Sequence, residues 1–415
     1  MDNGSTKSTL TKYFYPLDVK AMVRDARVLG LDKYSKKLDC SKFTRLFIFA
    51  QVNQIPSLRQ ISEELDENDE LQQELGLESI SAAQLSRKLG HVTPAFLKGV
   101  HRRCVEQIVR LCGFRKATKA LNQMNLLDSS TVTMCLSQYP WAKFRDSKAG
   151  VKLHTRLAYF EDEVLYPDVV TLTTAKPSDR SQMDALVVCE PGALNVFDRG
   201  YVDYRKFDEY CKKGIRFVTR LRENAFIAEV VEERSIPAGS PVRRDAVIYL
   251  GSPFRSMDHP VRWLEVADRD GKTVIILTND FDMSATEVCD VYRKRWQIEL
   301  FFKWIKQHLK VRSLYGQGEN AVYNQLWIAM ITFCLLVLLQ LRAGYTGKLL
   351  NVYRRLRRHW AKAFSEFLKY LNRTPGRTSR GRAKVNHEQT FAQTLQQYED
   401  GEAEHLDCLE YDPTI

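Results

Sequence analysis

The nine cysteines of this 415-residue chain include no C-x-x-C pair. An odd, scattered set argues against both a disulfide framework and a structural zinc site, and it fits a reducing, cytoplasmic setting. The opening MDNGSTKSTLTKYFYP lacks the basic-then-apolar layout of a signal peptide, so secretion is not expected. Long apolar runs are scarce. The longest, Leu326 to Leu341, falls short of the roughly 20 residues that a bilayer span needs and carries Gln340. It reads as a buried helix, with no membrane partner. No internal repeat is present. Acids are outnumbered, 51 Asp and Glu against 62 Lys and Arg, for a formal charge of +11.

That surplus calls for an anionic partner, and nucleic acid leads, because the cations cluster late in the chain in YRRLRRHW and NRTPGRTSRGRAK. The length allows two or three domains with full cores. Residues 41–115 follow a helical pattern punctuated by Pro56, Gly76 and Pro94. Within it, SISAAQLSRKLGHVTP carries Arg87 and Lys88 before a turn at Gly90 and Pro94. This is either the reading helix of a helix-turn-helix or the solvated basic face of a structural helix. From Leu126 the texture becomes β-branched and aromatic: LLDSSTVTM, VKLHTRLAYF, VLYPDVVTLTTA, ALNVFDRGY and IRFVTRLR read as strands, with helices at DRSQMDALVV and YRKFDEYCKKG. Strands in succession and then alternating with helices predict a mixed α/β sheet. From Asn224 to Asp280 nearly everything reads as strand, with Asp270 and Gly271 as a hairpin turn. The stretch from Arg373 to Asn386 reads as a mobile basic tail or linker.

A helix is expected from Ala285 to Val311. At about 100° per residue, Tyr292, Arg295, Glu299 and Lys306 form one polar stripe, while Val291, Ile298, Phe302, Ile305 and Leu309 form a core face beside it. A salt-bridged amphipathic helix explains this on its own, since Arg295 and Glu299 are four apart. Two further acids change the weighting. Asp128 in LLDSSTV and Asp198 in LNVFDRGY end strand-like runs, where open α/β sheets place their sites. Either alone is also an ordinary turn residue. With Glu299 they make a set of hard oxygen ligands able to hold two Mg²⁺ ions for phosphodiester chemistry. Arg295 and Lys306, about 16 Å apart by helix rise, then suit successive phosphates.

Tyr292, Arg295, Glu299 and Lys306 at this spacing resemble the Y-R-E-K signature of bacterial insertion-sequence transposases, in the family founded on insertion sequence four. Asp128 in DSSTV and Asp198 in FDRGY resemble that family's two catalytic aspartates, and GVKLH (150–154) and ILTN (276–279) its flanking strand motifs. The likeness runs from about Leu126 to Val311, and the N-terminal helical region is similar to that of a subgroup. It implies an RNase H-like mixed-sheet core interrupted by a mostly β insertion, with a helical N-terminal domain and a helical basic C-terminal region. The divisions expected are 1–120 (helical, DNA-binding or accessory), 121–223 (core), 224–283 (β insertion), 284–345 (core with the Y-R-E-K helix) and 346–415 (basic helices and tail).

The resemblance further implies cut-and-paste transposition. Asp128, Asp198 and Glu299 would be catalytic and hold two Mg²⁺, with Mn²⁺ able to substitute. Tyr292, Arg295, Lys306, Lys303 and Arg199 would bind DNA. The partners implied are double-stranded inverted-repeat ends, target DNA and a second copy of the chain in the synaptic complex, in a bacterial, nucleoid-associated setting. The alternatives are a nuclease that cuts without joining and a non-enzymatic DNA-binding derivative. The family's base-stacking Trp is replaced by Val274, which leaves Trp263 to stack on a base or pack in the core. His154 is expected near the acids or simply packed, and Tyr201 beside phosphate or stabilising its turn.

Overall fold

Six of the first seven helices begin where the sequence supplies a side-chain acceptor. In this computed structural model, Ser8, Asp18, Asp39, Ser57, Asn68 and Ser81 each take a backbone N–H at the start of α1 (Thr9–Phe14), α2 (Val19–Val28), α3 (Cys40–Asn53), α4 (Leu58–Asp66), α5 (Asp69–Leu75) and α6 (Ala82–His91). Pro94, needing no N–H partner, opens α7 (Pro94–Lys116). The structure describes residues 7–373 except 117–123, 160–163, 191–192, 237–238, 253–254 and 268–270, together with 392–393 and 396. Of the basic tail expected from Arg373 to Asn386, all but Arg373 lies outside the described residues.

The strands are β1 (Met124–Cys135), β2 (Lys143–Arg145), β3 (Lys148–Tyr159), β4 (Leu165–Thr174), β5 (Leu194–Phe197), β6 (Arg216–Arg220), β7 (Ile227–Glu233), β8 (Val242–Ser252), β9 (Arg255–Ser256), β10 (Val261–Ala267) and β11 (Thr273–Thr278). The first four residues of β1 are buried on both faces, as befits a strand flanked in mid-sheet. It pairs antiparallel with β3 and parallel with β5. β3 pairs antiparallel with β4, and β5 parallel with β6. The order β4–β3–β1–β5–β6 is the RNase H-like arrangement. Between them lie the single turn α8 (Met183–Leu186) and α9 (Tyr204–Lys213), which closes on Gly214 at φ +66.

The expected β insertion is present, and among its described residues no helix occurs. It is not a separate sheet. β11 pairs antiparallel with β6, so the sheet continues through β11, β10, β8 and β7. Gly271, at φ +76, sits in the β10–β11 connection as a turn residue should; Asp270 lies outside the described residues. Inside the insertion, Arg262 makes a two-pronged pair with Asp245 at 2.7 and 2.9 Å, both side chains almost wholly buried. The same guanidinium donates to the carbonyls of Asp280 and Met283. It thereby ties the insertion to the entry of α10 (Ala285–Lys294).

After α10 come α11 (Trp296–His308), α12 (Glu319–Arg342), α13 (Leu349–His359) and α14 (Phe364–Leu371). α12 is the one helix among the described residues long and apolar enough to cross a membrane, and 94% of its apolar window is buried inside the fold. It packs against α3, α6 and α7 and against β4. Its two fully buried amides are put to use. Asn324 donates to the carbonyls of Leu89 and Val92 at the end of α6, and Gln325 donates to Lys310 and Ser313 and accepts from Tyr315 N–H. One hydrophobic cluster consequently runs from Leu10 in α1 to Leu371 in α14, and a second gathers Leu127, Phe197, Phe207, Phe217 and Trp263. The chain start is sewn to its far end: Thr9 N–H reaches Lys362 O, Leu10 N–H reaches Trp360 O, and Phe364 N–H reaches Lys7 O.

These contacts bear on the reading of α6. Lys88 points inward, only 8% exposed, onto Asp32 Oδ1 at 2.6 Å, Leu31 O and Ser35 Oγ. Gly90 is helical rather than a turn. A buried, paired lysine cannot read DNA, so Lys88 is removed from any basic face, whereas Arg87 stays exposed, and the end of α6 is tied to α12 through Asn324.

Asp245→Ala is expected to leave the Arg262 guanidinium buried without a counter-charge, at a cost of about 3–5 kcal/mol. The melting temperature should fall by several degrees, and less for Asp245→Asn, as measured by differential scanning calorimetry.

Candidate active site

Leu127 pairs with Phe197 across parallel β1 and β5, and Phe197 with Thr219 across parallel β5 and β6. The next residues along, Asp128, Asp198 and Arg220, therefore form one row where the parallel pairing ends, spaced by about 4.8 Å per strand. Asp198 lies just past β5, Arg220 is the last residue of β6, and Asp128 is midway along β1, which runs on against β3 to Cys135. Each aspartate is braced locally. Asp128 Oδ1 accepts Ser129 N–H at 2.7 Å, and Asp198 Oδ1 accepts Gly200 N–H at 2.5 Å to start a short 3₁₀ turn. A Cβ at position 200 would stand 2.9 Å from that carboxylate oxygen, so a larger residue there would push the Asp198 carboxylate aside.

Glu299 comes from the first turn of α11, which packs on β1. The expected continuous helix from Ala285 to Val311 is broken. At Arg295 the ladder tightens, with Arg295 N–H bonding to Tyr292 O and Ile298 N–H to Arg295 O, and α11 stops at His308 where Leu309 turns extended. Arg295 points inward here. Its Nη2 lies 2.5 Å from Glu299 Oε1 and its Nη1 3.7 Å from Asp128 Oδ2, so two of the three acids share one guanidinium. Tyr292 lies beneath it, ring centre 5.8 Å from the guanidinium carbon.

The electrostatics follow from that crowding. Burial above all pushes the Asp128 carboxyl up to about 7; Asp198 and Glu299 push it further, while Ser129 N–H and Arg295 pull it down. Burial also raises the Tyr292 hydroxyl, with Asp198 adding to the effect and Arg295 and Arg220 opposing it. Burial works against charge on Arg295, yet Glu299, Tyr292 and Asp128 outweigh it and its pKa rises. Among the described residues, no three His, Cys, Asp or Glu side chains stand close enough to enclose a metal ion, because Arg295 sits between Asp128 and Glu299.

The profile of the "Transposase DDE domain" family matches residues 121–335, just over half of the chain. The chain belongs to the DDE transposase family. A second profile, of a domain of unknown function, matches residues 5–78. A probable transposase for insertion sequence element IS5377 from Geobacillus stearothermophilus is 29% identical over 75% of this chain and 79% of its own. The putative transposase y4zB of Sinorhizobium fredii is 36% identical over 51% of this chain and 60% of its own. Among solved structures, a synaptic complex of piggyBac transposase with hairpin DNA aligns with 91% of this chain and 85% of its own, at 10% identity and a TM-score of 0.46.

The transposase keeps several residues near the acids that sequence reasoning missed. Asp179 takes Ser129 Oγ–H at 2.6 Å and Lys152 Nζ at 3.1 Å on a single oxygen, linking β1 to β3. Only an acid in a small polar run marked it. Arg220, with its buried Nε lacking a hydrogen-bond partner among the described residues, carried no motif. Trp296, 55% exposed, follows Arg295 directly. The other expected residues divide. Lys306 is half-buried, its pKa pushed down by burial and then by Arg312, while Arg199 is exposed on the turn after Asp198. Lys303, at intermediate exposure, lies one turn beyond Glu299. Tyr201 is fully buried against Phe197, out of reach of any phosphate. Trp263 is 3% exposed, its Nε1–H donating to Glu265, so it packs and cannot stack on a base. His154 is packed as well. Thr173 Oγ1 donates to Thr174 O and so accepts from His154 Nε2–H, leaving Nδ1 bare 3.5 Å from Asp179, and burial holds the ring neutral with a pKa of about 4.

The raised Asp128 pKa has a sign that can be checked in metal-free transposase. Below about pH 4 the carboxyl is protonated folded or unfolded; as pH climbs toward 7 the unfolded chain ionises first, and folding stability is lost. Asp128→Asn should therefore melt higher than wild type at pH 8, by on the order of 2–4 kcal/mol of stability, with the gap closing at pH 4 in chelator-containing melts.

Proposed function

We propose that this transposase moves its own DNA element by cut and paste, with Asp128, Asp198 and Glu299 as the catalytic acids. The observation that carries the proposal is the row of Asp128 and Asp198 on neighbouring parallel strands, with Glu299 joined to Asp128 through one guanidinium. DDE transposases use divalent metal ions, and the donor set fits them: three hard carboxylates, one of which, Asp128, has its pKa raised chiefly by burial and further by the negative charge of Asp198 and Glu299. The three acids would hold two Mg²⁺, with Mn²⁺ able to substitute, and such ions activate an attacking oxygen and stabilise a leaving one.

The chain's own groups do the rest. Arg295 balances the acids and presents its cation to the phosphate being cut, beside Tyr292. Lys306 and Lys303, farther along α11, and Arg199 after Asp198 hold neighbouring phosphates. Water opens one strand at the element's end, the freed 3′-OH attacks the opposite strand to close a hairpin, and the reopened end joins target DNA. Exposed Trp296 offers a ring to an unpaired base, the task that buried Trp263 cannot perform. The partners are inverted-repeat ends, target DNA and a second copy of the chain, within the bacterial nucleoid. The helical region 1–120 and the basic region 346–415 serve as accessory DNA-binding parts around the core.

With DNA bearing the element's own ends and Mg²⁺, Glu299→Gln should lose cleavage by at least about 100-fold while end binding stays intact, since removing a negative charge cannot weaken attraction to DNA. Lys306→Ala should weaken binding and flatten its salt dependence by about 0.9 in log–log slope. If Glu299→Gln cuts at the wild-type rate, losing only about 0.3–0.5 kcal/mol of helix stability, the stripe is a surface salt bridge and the mechanism is wrong. Strand-transfer products separate this reading from a nuclease or a simple binder.

A further inference from the structure

A cleft of about 380 Å³ opens immediately beyond Asp198, with Gly200 on its wall and Arg180, Arg199 and Arg222 around it. No acid lines it. Arg199 and Arg222 make no ion pair among the described residues. The acid nearest Arg180 is Asp203, whose Oδ2 lies 3.7 Å from Arg180 Nε and whose Oδ1 already caps α9 through Arg205 N–H. Three arginines thus line one cleft with Asp203 as their one ion-pair partner among the described residues. Asp179 and Asp198 stand behind Gly200 with an oxygen each already committed, to Ser129 and Lys152 or to Gly200 N–H, which leaves a surplus of positive charge that an anion would balance. The rest of the lining is different in kind. Leu221 is buried and Tyr204 half-buried in the same lining, so an aromatic ring and an aliphatic chain share the cleft with the cations.

Guanidinium forks beside an aromatic and apolar lining match a phosphodiester with its base: the fork takes the phosphate oxygens two at a time, and the ring takes a base face of any sequence. We propose that this cleft binds one nucleotide of the DNA strand leaving the reaction site on the Asp198 side, with Arg180 and Arg222 on its phosphate and Tyr204 under its base. The inference rests on the DNA-cutting reading above, and adds to it a site that no motif marked. Arg180 lies in the turn before α8 and Arg222 just past β6, 42 positions apart. A free nucleotide or inorganic phosphate presents the same chemistry, and the test separates these from a strand.

The probes are a labelled oligo-dT strand, dTMP and inorganic phosphate, followed by fluorescence anisotropy across a salt series with full-length protein. The double variant Arg180→Ala/Arg222→Ala should bind oligo-dT more weakly, with the log–log salt slope flattened by about 0.7 for each arginine removed and the melting temperature unchanged. Tyr204→Leu should lose roughly 5- to 150-fold in affinity with the slope retained. dTMP and phosphate should compete poorly at matched ionic strength. Unchanged slope and affinity in the double variant overturn the proposal. So does full competition by dTMP or phosphate, which makes the cleft a small-anion site. A wild-type protein that binds no DNA sinks the wider reading and the cleft together. A wild-type protein that cuts its own ends, beside a double variant of unaltered slope, sinks the cleft alone.

Discussion

Two carboxylates one strand apart, with a third brought over them by a helix, repel one another, and everything around them is arranged to make that tolerable. Arg295 is the centre of the arrangement. Its guanidinium touches Glu299, four residues on, and lies 3.7 Å from Asp128 on β1. The strained electrostatics persist even so, since Asp128 still resists ionisation. Active sites commonly accept such a cost in stability for the charge they need to hold.

The helix carrying Glu299 is held in place from three sides. Arg262, paired with Asp245, fastens the insertion to the segment that starts α10. Gln325 of α12 and Gln51 of α3 grip the loop that follows α11 through Lys310. Tyr353 of α13 donates to the last carbonyls of α11, at His308. The insertion thus meets the start of α10, and the N-terminal and C-terminal helices meet the end of α11, which carries Glu299. The position of Glu299 over β1 is a property of the whole fold rather than of its local sequence.

How much of this was legible depended on the range of the interaction. Helix starts were readable because an N-cap needs only a Ser, Asp or Asn followed by the right periodicity, as at Ser81 and Ser284. Strands of the core were readable from β-branched runs, and the acids they carry from simple topology. The break at Arg295 was not, because Arg295 keeps right-handed helical angles and the apolar period passes through it undisturbed. Lys88 looked like a surface cation because its partner Asp32 lies 56 positions upstream. Asp179 looked like a loop acid because its partners Ser129 and Lys152 come from two strands that meet it only in the sheet. Trp263 was ambiguous until the continuation of the sheet beyond β6 gave its strand a neighbour on each side.

The hydrophobic cluster that runs from α1 to α14 carries a consequence for how the chain is made. Its N-terminal helices leave the ribosome first, yet their apolar faces wait for α12, and the strand-like pairing of Thr9 and Leu10 waits for residues 360–362. Contacts of such sequence separation close late and slowly, so the nascent helices spend most of translation with exposed hydrophobic surface. A chain cut off before α13 and α14 would leave Thr9 and Leu10 without the carbonyls they bond and part of the α1 core face without cover.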